Sequence, residues 1–263
     1  MEFKSITLKV EDGIGSITLN RPDILNSLDV ALAREVRAAL ALIKERRDVR
    51  ALILTGAGRG FCAGAQLSEE TSEESTGQRG SRAMKEDFNP LILDLIGLPV
   101  PVVAAVNGVA AGAGASIALA ADVVVAAQPA YFVLPFAPRL GIVPDLGATW
   151  TLPRLIGRAR AHALTLLGDR LPAPTAAEWG LIWKCVPAER LMDEAFALAR
   201  QLGAGPRHIV GEVRRAFDAA ESNDLPAQLE YERLRQEVLL DKEEYREGVR
   251  AFLEKREPVF GRS

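Results

Sequence analysis

A single stretch of small and apolar residues, Pro101 to Ala127, constrains the fold of this chain more than any other part of its sequence. Val102–Val106 is a short apolar run of the kind that forms a buried parallel strand. After a glycine turn, Ala111 to Ala121 is apolar on all sides except at Ser116, which predicts a helix buried at the centre of a domain. The stretch therefore predicts a strand–turn–helix unit of an α/β protein.

The turn before this helix lacks side chains that would shield its backbone. Gly112, Ala113 and Gly114 leave their N–H groups open to a ligand. These groups lie where a helix begins, without intrahelical partners and at the positive end of the helix dipole. They could bind an anion or an oxyanion. The same small residues also permit tight packing of a buried unit, so this stretch alone leaves both roles open.

A second glycine-rich turn follows another predicted strand. Arg50–Thr55 is the strand, and Gly56 to Ala65 forms the turn. Ligands of α/β proteins bind where such turns meet at the carboxyl edge of the sheet. We therefore expect backbone donors of both turns to converge on one site. The polar segment Ser68 to Ser81 predicts a surface loop, and its position favours a lid over that site.

Amphipathic patterns predict helices in the rest of the chain. Asp29 is expected to cap the first of them. Further helices are predicted over 84–97, 146–156, 159–167, 188–202, 207–220, 225–240 and 242–256. We expect a core with the ligand site over residues 1–200 and a C-terminal helical region over 201–263. Charged amphipathic helices of this kind suit subunit assembly more than simple capping of a core.

Composition excludes several classes of function. The 263 residues carry a formal net charge of −3, which argues against nucleic acid or an anionic membrane as the partner. No apolar run is a convincing membrane span and the N-terminus lacks a leader signal, so a cytoplasmic location is expected. The chain has two cysteines and two histidines, too few and too widely spaced for a metal site or a disulfide framework.

Four groups of residues resemble the enoyl-CoA hydratase/isomerase (crotonase) superfamily and span nearly the whole chain. They are Asn20-Arg21-Pro22 with Asn26 and Leu28, Gly60 to Leu67, Val106 to Gly114, and Ala251 to Arg256. The resemblance implies an α/β crotonase (ClpP-like) fold, a spiral of ββα units with a C-terminal helical trimerisation region. It further implies a homotrimer or a dimer of trimers, a small-molecule acyl-CoA substrate, and no cofactor, since CoA is part of the substrate.

The same resemblance assigns residues to the site. The N–H groups of Ala65 and Ala113 would form an oxyanion hole for the thioester carbonyl. Other substrate contacts are implied for Arg21, Asn26, Arg59, Ala63, Gln66, Leu67, Gly112, Phe136 and Lys255. The three basic residues of this set are candidate phosphate partners, although each can equally be a solvated surface charge.

Two positions depart from the pattern of the family's hydratases. Those members carry two glutamates that handle water, and the matching positions here hold Ser116 and Phe136. Neither side chain can act as a general base at neutral pH. One acid remains in the neighbourhood, Asp145. Its ordinary role would be to cap the helix that follows, whereas the resemblance implies a catalytic role, since several superfamily members place their working aspartate at this point.

The sequence therefore predicts an acyl-CoA isomerase in which Asp145 moves a proton through an enolate held by Ala65 and Ala113. The resemblance implies either a shift of a 3-enoyl-CoA double bond to the 2 position or the rearrangement of a ring epoxide, as in phenylacetate degradation. Two alternatives stay open. One is a hydratase with an atypical base. The other is a non-catalytic CoA-ester sensor or RNA-binding scaffold, and the negative net charge of the chain disfavours binding of RNA.

Overall fold

Two β-sheets form the framework of the protein, seen in a computed structural model that describes residues 3–66 and 73–260. The strands are β1 (Ile6–Glu11), β2 (Ile14–Leu19), β3 (Ala51–Gly56), β4 (Gly60–Cys62), β5 (Val102–Val106), β6 (Val109–Ala111), β7 (Val123–Ala127), β8 (Tyr131–Val133), β9 (Leu171–Pro172) and β10 (Lys184–Val186). One sheet has the order β1-β2-β3-β5-β7-β10, and the other has the order β4-β6-β8-β9.

Helices surround both sheets and make up the C-terminal part of the chain. They are α1 (Val30–Glu45), α2 (Thr76–Ala83), α3 (Asn89–Ile96), α4 (Ala113–Leu119), α5 (Ala148–Leu167), α6 (Ala173–Glu178), α7 (Leu191–Gly203), α8 (Ile209–Ala220), α9 (Leu225–Leu240) and α10 (Glu243–Glu254). Asp29 caps α1 as predicted, because its Oδ1 accepts a hydrogen bond from the N–H of Leu32 at 2.7 Å.

The larger sheet is covered on both faces, which explains its apolar strands. After an antiparallel β1–β2 hairpin, its pairs β2–β3, β3–β5 and β5–β7 are parallel. Successive side chains of a strand point to opposite faces, so Leu52 and Leu54 of β3 join the main core while Ile53 packs under α7 with Ala195 and Ala199. Parallel strands buried in this way need unbroken apolar sequence.

The smaller sheet carries the site and was largely missed by sequence reasoning. Its strands have two or three residues each, too few for an alternating pattern to be recognised. The predicted helix over Ala111 to Ala121 is therefore too long, because Val109–Ala111 pairs with β4 and β8 as β6, and α4 begins only at Ala113.

One further expectation needs correction and another is confirmed. The predicted surface loop over 68–81 begins among residues 67–72, which lie outside the described part, but its second half is helix. Ser75 forms a capping box with Gln78 at the start of α2, which gives this segment a reason to be helical. The helices predicted over 146–156 and 159–167 are confirmed as two arms of α5 that meet at Gly157 (φ 73°).

An arginine of α8 forms hydrogen bonds that connect the C-terminal helices beyond α7 to the core. Arg214 of α8 donates to the carboxylate of Asp122 at 2.5 Å and to the carbonyl oxygen of Leu98 at 2.6 Å. The division near residue 200 stays a prediction. Across the described residues, no helix combines the length and the apolar character that crossing a membrane requires.

Candidate active site

The two glycine-rich turns meet in direct backbone contact. A Cβ on Gly114 would lie 2.2 Å from the carbonyl oxygen of Cys62. A Cβ on Gly64, whose φ is +93°, would lie 2.8 Å from the carbonyl oxygen of Ala111 and 3.7 Å from the nitrogen of Ala113. Only glycine permits this approach. The segment after β4 is thereby held against the start of α4, as the sequence predicted.

The segment from Ala63 to Gln66 is aligned by a neighbouring stretch of backbone. The N–H of Leu28 donates to the carbonyl oxygen of Gly64 at 2.7 Å, and the N–H of Gln66 donates to that of Leu28 at 2.7 Å. Because alternate residues of an extended chain face opposite sides, the N–H of Ala65 points away from this partner. Among the described residues it has no hydrogen-bond acceptor, so it is available to a ligand.

Ala113 presents the second available N–H. Gly112, with φ +49°, turns the chain out of β6 and donates its own N–H to the carbonyl oxygen of Val133 at 2.9 Å. The next residue, Ala113, opens α4, and its N–H has no acceptor within residues 3–66 and 73–260. The first N–H groups of a helix lack intrahelical partners. The contact of Gly64 with Ala113 brings both unpaired donors into one neighbourhood.

Asp145, the candidate acid, lies between the short helical turn over 136–140 and α5. Its Oδ1 is buried and, in the described part of the chain, has no hydrogen-bond partner. Burial raises the pKa of the carboxyl group above its ordinary value, although its own backbone N–H opposes that shift. The helix-cap alternative is wrong, because Gly147 occupies the N-cap of α5.

Ser116 connects Asp145 to α4. The Ser116 side chain is buried, and its Oγ donates to the backbone carbonyl oxygen of Asp145 at 3.1 Å. Since Ser116 lies one helical turn beyond Ala113, this contact brings the segment with the acid to the helix that carries an N–H donor. Sequence reasoning identified Ser116 only as an absent glutamate and missed this contact.

Phe136 fills the other position where a hydratase would carry glutamate. Its ring is buried, and Cζ lies 3.4 Å from the place that a Cβ on Gly112 would occupy. An apolar ring therefore covers the turn next to the Ala113 donor. The implied contact between Phe136 and the acyl group fits this placement and stays a prediction.

The side chain of Asn26 is turned into the protein, and the substrate contact that the resemblance implied for this residue stays a prediction. Its side chain is fully buried, and its Nδ2 donates to the carbonyl oxygens of Ala57, Gly60 and Phe61 at 2.9–3.2 Å. Its Oδ1 accepts the N–H of Arg21 at 2.8 Å. The amide therefore joins the turn between β3 and β4 to the segment that precedes α1, and all of its polar atoms are used.

Arg21 is likewise engaged within the protein. Its Nη1 pairs with the carboxylate of Asp29 at 2.5 Å, and its Nη2 donates to the carbonyl oxygen of Ser27. Its Nε is buried without a partner among the described residues. The guanidinium group thus stabilises the 21–29 segment that aligns Gly64 and Gln66, and a phosphate contact would have to displace part of this network.

The remaining candidates are surface residues. Arg59 and Lys255 are exposed, and within the described ranges neither side chain forms an ion pair or a hydrogen bond. Ala63 is half-buried and Gln66 is exposed, while Leu67 lies outside the described residues. Across residues 3–66 and 73–260, no three or more His, Cys, Asp or Glu side chains are grouped to hold a metal ion.

Comparison with known proteins relates this site to acyl-CoA chemistry. The enoyl-CoA hydratase/isomerase family model matches residues 9–263. Over 262 residues the chain is 47% identical to the 1,2-epoxyphenylacetyl-CoA isomerase of Escherichia coli (strain K12), with 99% of this chain and 98% of that protein covered. It is 44% identical over 260 residues to a probable enoyl-CoA hydratase of Rhodobacter capsulatus, with 99% of each covered.

Solved structures show the same likeness. The crystal structure of an enoyl-CoA hydratase from Bacillus anthracis superposes with a TM-score of 0.90 at 34% identity, and the match covers 99% of this chain and 100% of that one. A putative enoyl-CoA hydratase from Streptomyces coelicolor superposes with a TM-score of 0.89 at 36% identity, covering 100% of this chain and 96% of that one.

Proposed function

Because this chain belongs to the enoyl-CoA hydratase/isomerase family, we propose that it is an isomerase of acyl-CoA thioesters in which Asp145 is the acid–base residue. The observation that carries the proposal is the unpartnered oxygen of a half-buried carboxyl group, on a residue whose backbone is hydrogen-bonded to the helix that carries one of the two free N–H donors. The positions that hold the glutamates of hydratases are Ser116 and Phe136 here. The likeness to 1,2-epoxyphenylacetyl-CoA isomerase supports the same assignment.

The proposed reaction moves one proton between two carbons of the acyl group. The thioester carbonyl oxygen accepts hydrogen bonds from the N–H groups of Ala65 and Ala113. The ionised carboxylate of Asp145 takes a proton from C2 of a 3-enoyl-CoA, and the electron pair moves to the carbonyl oxygen and gives a dienolate. The same carboxyl group then returns the proton to C4, which yields the 2-enoyl-CoA with no net gain or loss of atoms.

Each part of the site has a defined energetic role in this scheme. Preorganised N–H donors stabilise the charge that develops on the oxygen, and loss of one such donor typically costs roughly 3 kcal/mol of barrier. A raised pKa makes the carboxylate of Asp145 a stronger base than an ordinary exposed aspartate. The buried ring of Phe136 excludes water from the turn where a hydratase would position it.

Rearrangement of a ring epoxide is the second reaction that this site would support. The likeness to 1,2-epoxyphenylacetyl-CoA isomerase is the specific observation in its favour. The two N–H donors would polarise the thioester and orient the ring. Asp145 has a less defined part in that step, since ring expansion needs mainly an oriented, polarised substrate.

We also propose that the C-terminal helices hold the subunits together as a homotrimer or a dimer of trimers. In the isolated chain α9 buries none of its residues, and its Leu225 and Leu229 are 71% and 56% exposed. Apolar side chains left exposed in this way are typical of an interface between subunits. Light scattering of the purified protein measures the mass that tests this assembly.

The test compares three substrates and two aspartate variants. The protein is incubated separately with a 3-enoyl-CoA, a 2-enoyl-CoA and epoxyphenylacetyl-CoA, and the products are followed by chromatography. Asp145→Asn should lower isomerisation by about 100-fold or more while a non-reactive acyl-CoA analogue still binds. Asp193→Asn on α7, whose side chain is 75% exposed, is the matched control and should keep full activity.

Three results would overturn the proposal. Full turnover by Asp145→Asn would remove this residue from the mechanism. Rapid addition of water to the 2-enoyl-CoA, without isomerisation of the other two substrates, would make the protein a hydratase with an atypical base. Binding without turnover of all three substrates would support the non-catalytic sensor.

A further inference from the structure

We infer that Ser116 is a positioning residue that fixes the backbone of Asp145 and thereby aims its carboxyl group at the substrate. The inference rests on the proposed function, because it assigns a role toward the same acid. It concerns a position where the family's hydratases carry glutamate and where this chain has serine. Instead of supplying an acid, this position donates a hydrogen bond to the backbone of a different acid, 29 residues further along the chain.

The hydrogen bond of Ser116 is buried and joins two separate elements. Only 4% of the residue is exposed, and its Oγ lies 3.1 Å from the carbonyl oxygen of Asp145. Its other acceptor is the carbonyl oxygen of Gly112, four residues earlier in the helix, at 3.4 Å. A hydroxyl has one proton to donate, and the shorter contact is the better hydrogen bond. The Ser116 proton therefore goes to Asp145.

The backbone that follows Asp145 needs such support. Leu146 has φ +49° and Gly147 has φ +82°, so two consecutive residues adopt the left-handed conformation. For leucine this conformation is unfavourable and persists only where the surroundings enforce it. The carbonyl oxygen of Asp145 accepts a second hydrogen bond, from the N–H of Ala148 at 3.0 Å. Ser116 and α5 together hold this peptide group in place.

Apart from the backbone N–H of Asp145 itself, the carboxyl group has little else to orient it. In the described part of the chain, Oδ1 of Asp145 has no hydrogen-bond partner. The direction of the carboxyl group therefore follows from the backbone to which it is attached. An error of about 1 Å in the placement of a catalytic group can lower a rate about 100-fold, so a contact to this backbone bears directly on turnover.

The experiment removes and then restores the hydroxyl. Ser116→Ala is compared with Ser116→Thr, which keeps a hydroxyl at this position, and with Ser5→Ala, a control at another buried serine. For Ser116→Ala we expect kcat to fall about 10- to 100-fold with KM unchanged. Ser116→Thr should recover most of that loss, and Ser5→Ala should lose none.

A second readout separates positioning from simple destabilisation. The protonation of Asp145 is followed by carbon NMR of labelled aspartate, assigned with Asp145→Asn. Once Ser116 no longer holds the backbone, the carboxyl group turns toward solvent, so the pKa of Asp145 should fall in Ser116→Ala. The acid limb of the kcat profile should move to lower pH in parallel. Neither change is expected in Ser5→Ala.

The outcomes distinguish this inference from the proposed function. If Asp145→Asn is inactive while Ser116→Ala keeps its kcat and the titration of Asp145, the positioning role is wrong and the catalytic acid stands. If Asp145→Asn is fully active, the proposed function fails, and the NMR titration still decides whether Ser116 holds Asp145. Equal losses in Ser116→Ala and Ser5→Ala would also overturn the inference, because they would reflect general destabilisation.

Discussion

Replacing the proposed catalytic acid should make the protein more stable while making it inactive. In the folded protein the Asp145 carboxyl group is half-buried and its Oδ1 has no partner among the described residues. Leaving a buried polar group unpaired costs about 1–3 kcal/mol and more when the group is charged, so burial disfavours the ionised carboxylate relative to a neutral amide or a protonated acid. The group retains some contact with solvent, so we take the lower end, about 1 kcal/mol. Asp145→Asn removes the charge and should recover this amount near neutral pH.

The sign of the pH dependence follows from the raised pKa of Asp145. Because burial raises that pKa above 3.8, the folded state binds the proton more tightly than the unfolded chain does. The wild-type protein is therefore free of the penalty below the unfolded pKa and acquires it as pH rises through the folded pKa. The advantage of Asp145→Asn should be complete near neutral pH and should shrink as pH falls toward 3.8.

Thermal and urea unfolding at fixed protein concentration measure this difference. For a chain of this length a gain of about 1 kcal/mol corresponds to a rise in Tm of about 2–4 °C. Asp193→Asn is the matched control, since its carboxylate is exposed and contacts Arg190 only at 3.6 Å. A loss of stability in Asp145→Asn at neutral pH, or a gain that does not change with pH, would refute the reasoning.

Three other perturbations test the framework of the site. Gly114→Ala places a Cβ 2.2 Å from the Cys62 carbonyl oxygen, so we expect the free energy of unfolding to fall by about 1–3 kcal/mol and activity to be lost. Gly248→Ala, whose Cβ would have nothing within 4 Å, is the control: its free energy of unfolding should rise by up to about 1 kcal/mol, with full turnover. Asn26→Ala leaves buried carbonyl groups without a donor and should lower the free energy of unfolding by roughly 3 kcal/mol, measured in urea; an unchanged midpoint would contradict the role of its amide. Arg256 lowers the pKa of Glu247 to about 2. The ionised Glu247 carboxylate, which accepts hydrogen bonds from Arg256 and from the N–H of Val259, should therefore stabilise residues 255–260 above pH 4.5 and release them as pH falls through 2. Hydrogen exchange of these residues should change with pH in this way in the wild type and should not in Glu247→Gln.

The larger sheet was predictable because its sequence is simple. Val102–Val106 had to be a buried strand, and Asp29 had to cap a helix, since each signal is local and has one physical meaning. The crotonase fold implied by the resemblance is confirmed. The smaller sheet was not predictable, because Gly60–Cys62 and Val109–Ala111 are strands only through their pairing with each other.

The candidate site divides in the same way. The turns with Ala65 and Ala113 were predicted, because the glycine and alanine residues in both turns indicate a backbone that a ligand can approach. The contact between Ser116 and Asp145 was not, since a hydroxyl on an apolar helix gives no sign of the distant carbonyl group that it meets. The hydrogen bonds of the buried Asn26 amide to the turn between β3 and β4 were not predicted for the same reason, because a motif identifies a residue but not the direction of its side chain.

The backbone contact between Gly114 and Cys62 has a consequence for how such a protein can change its chemistry. Both proposed donors to the substrate oxygen are main-chain groups held by glycine contacts, so no substitution other than proline deletes them directly. The acid, in contrast, is one side chain on a separate turn. In the proposed mechanism, activation of the thioester and transfer of the proton are thus encoded in different parts of the chain. A redesigned 136–147 segment could then install a new reaction beside unaltered backbone donors.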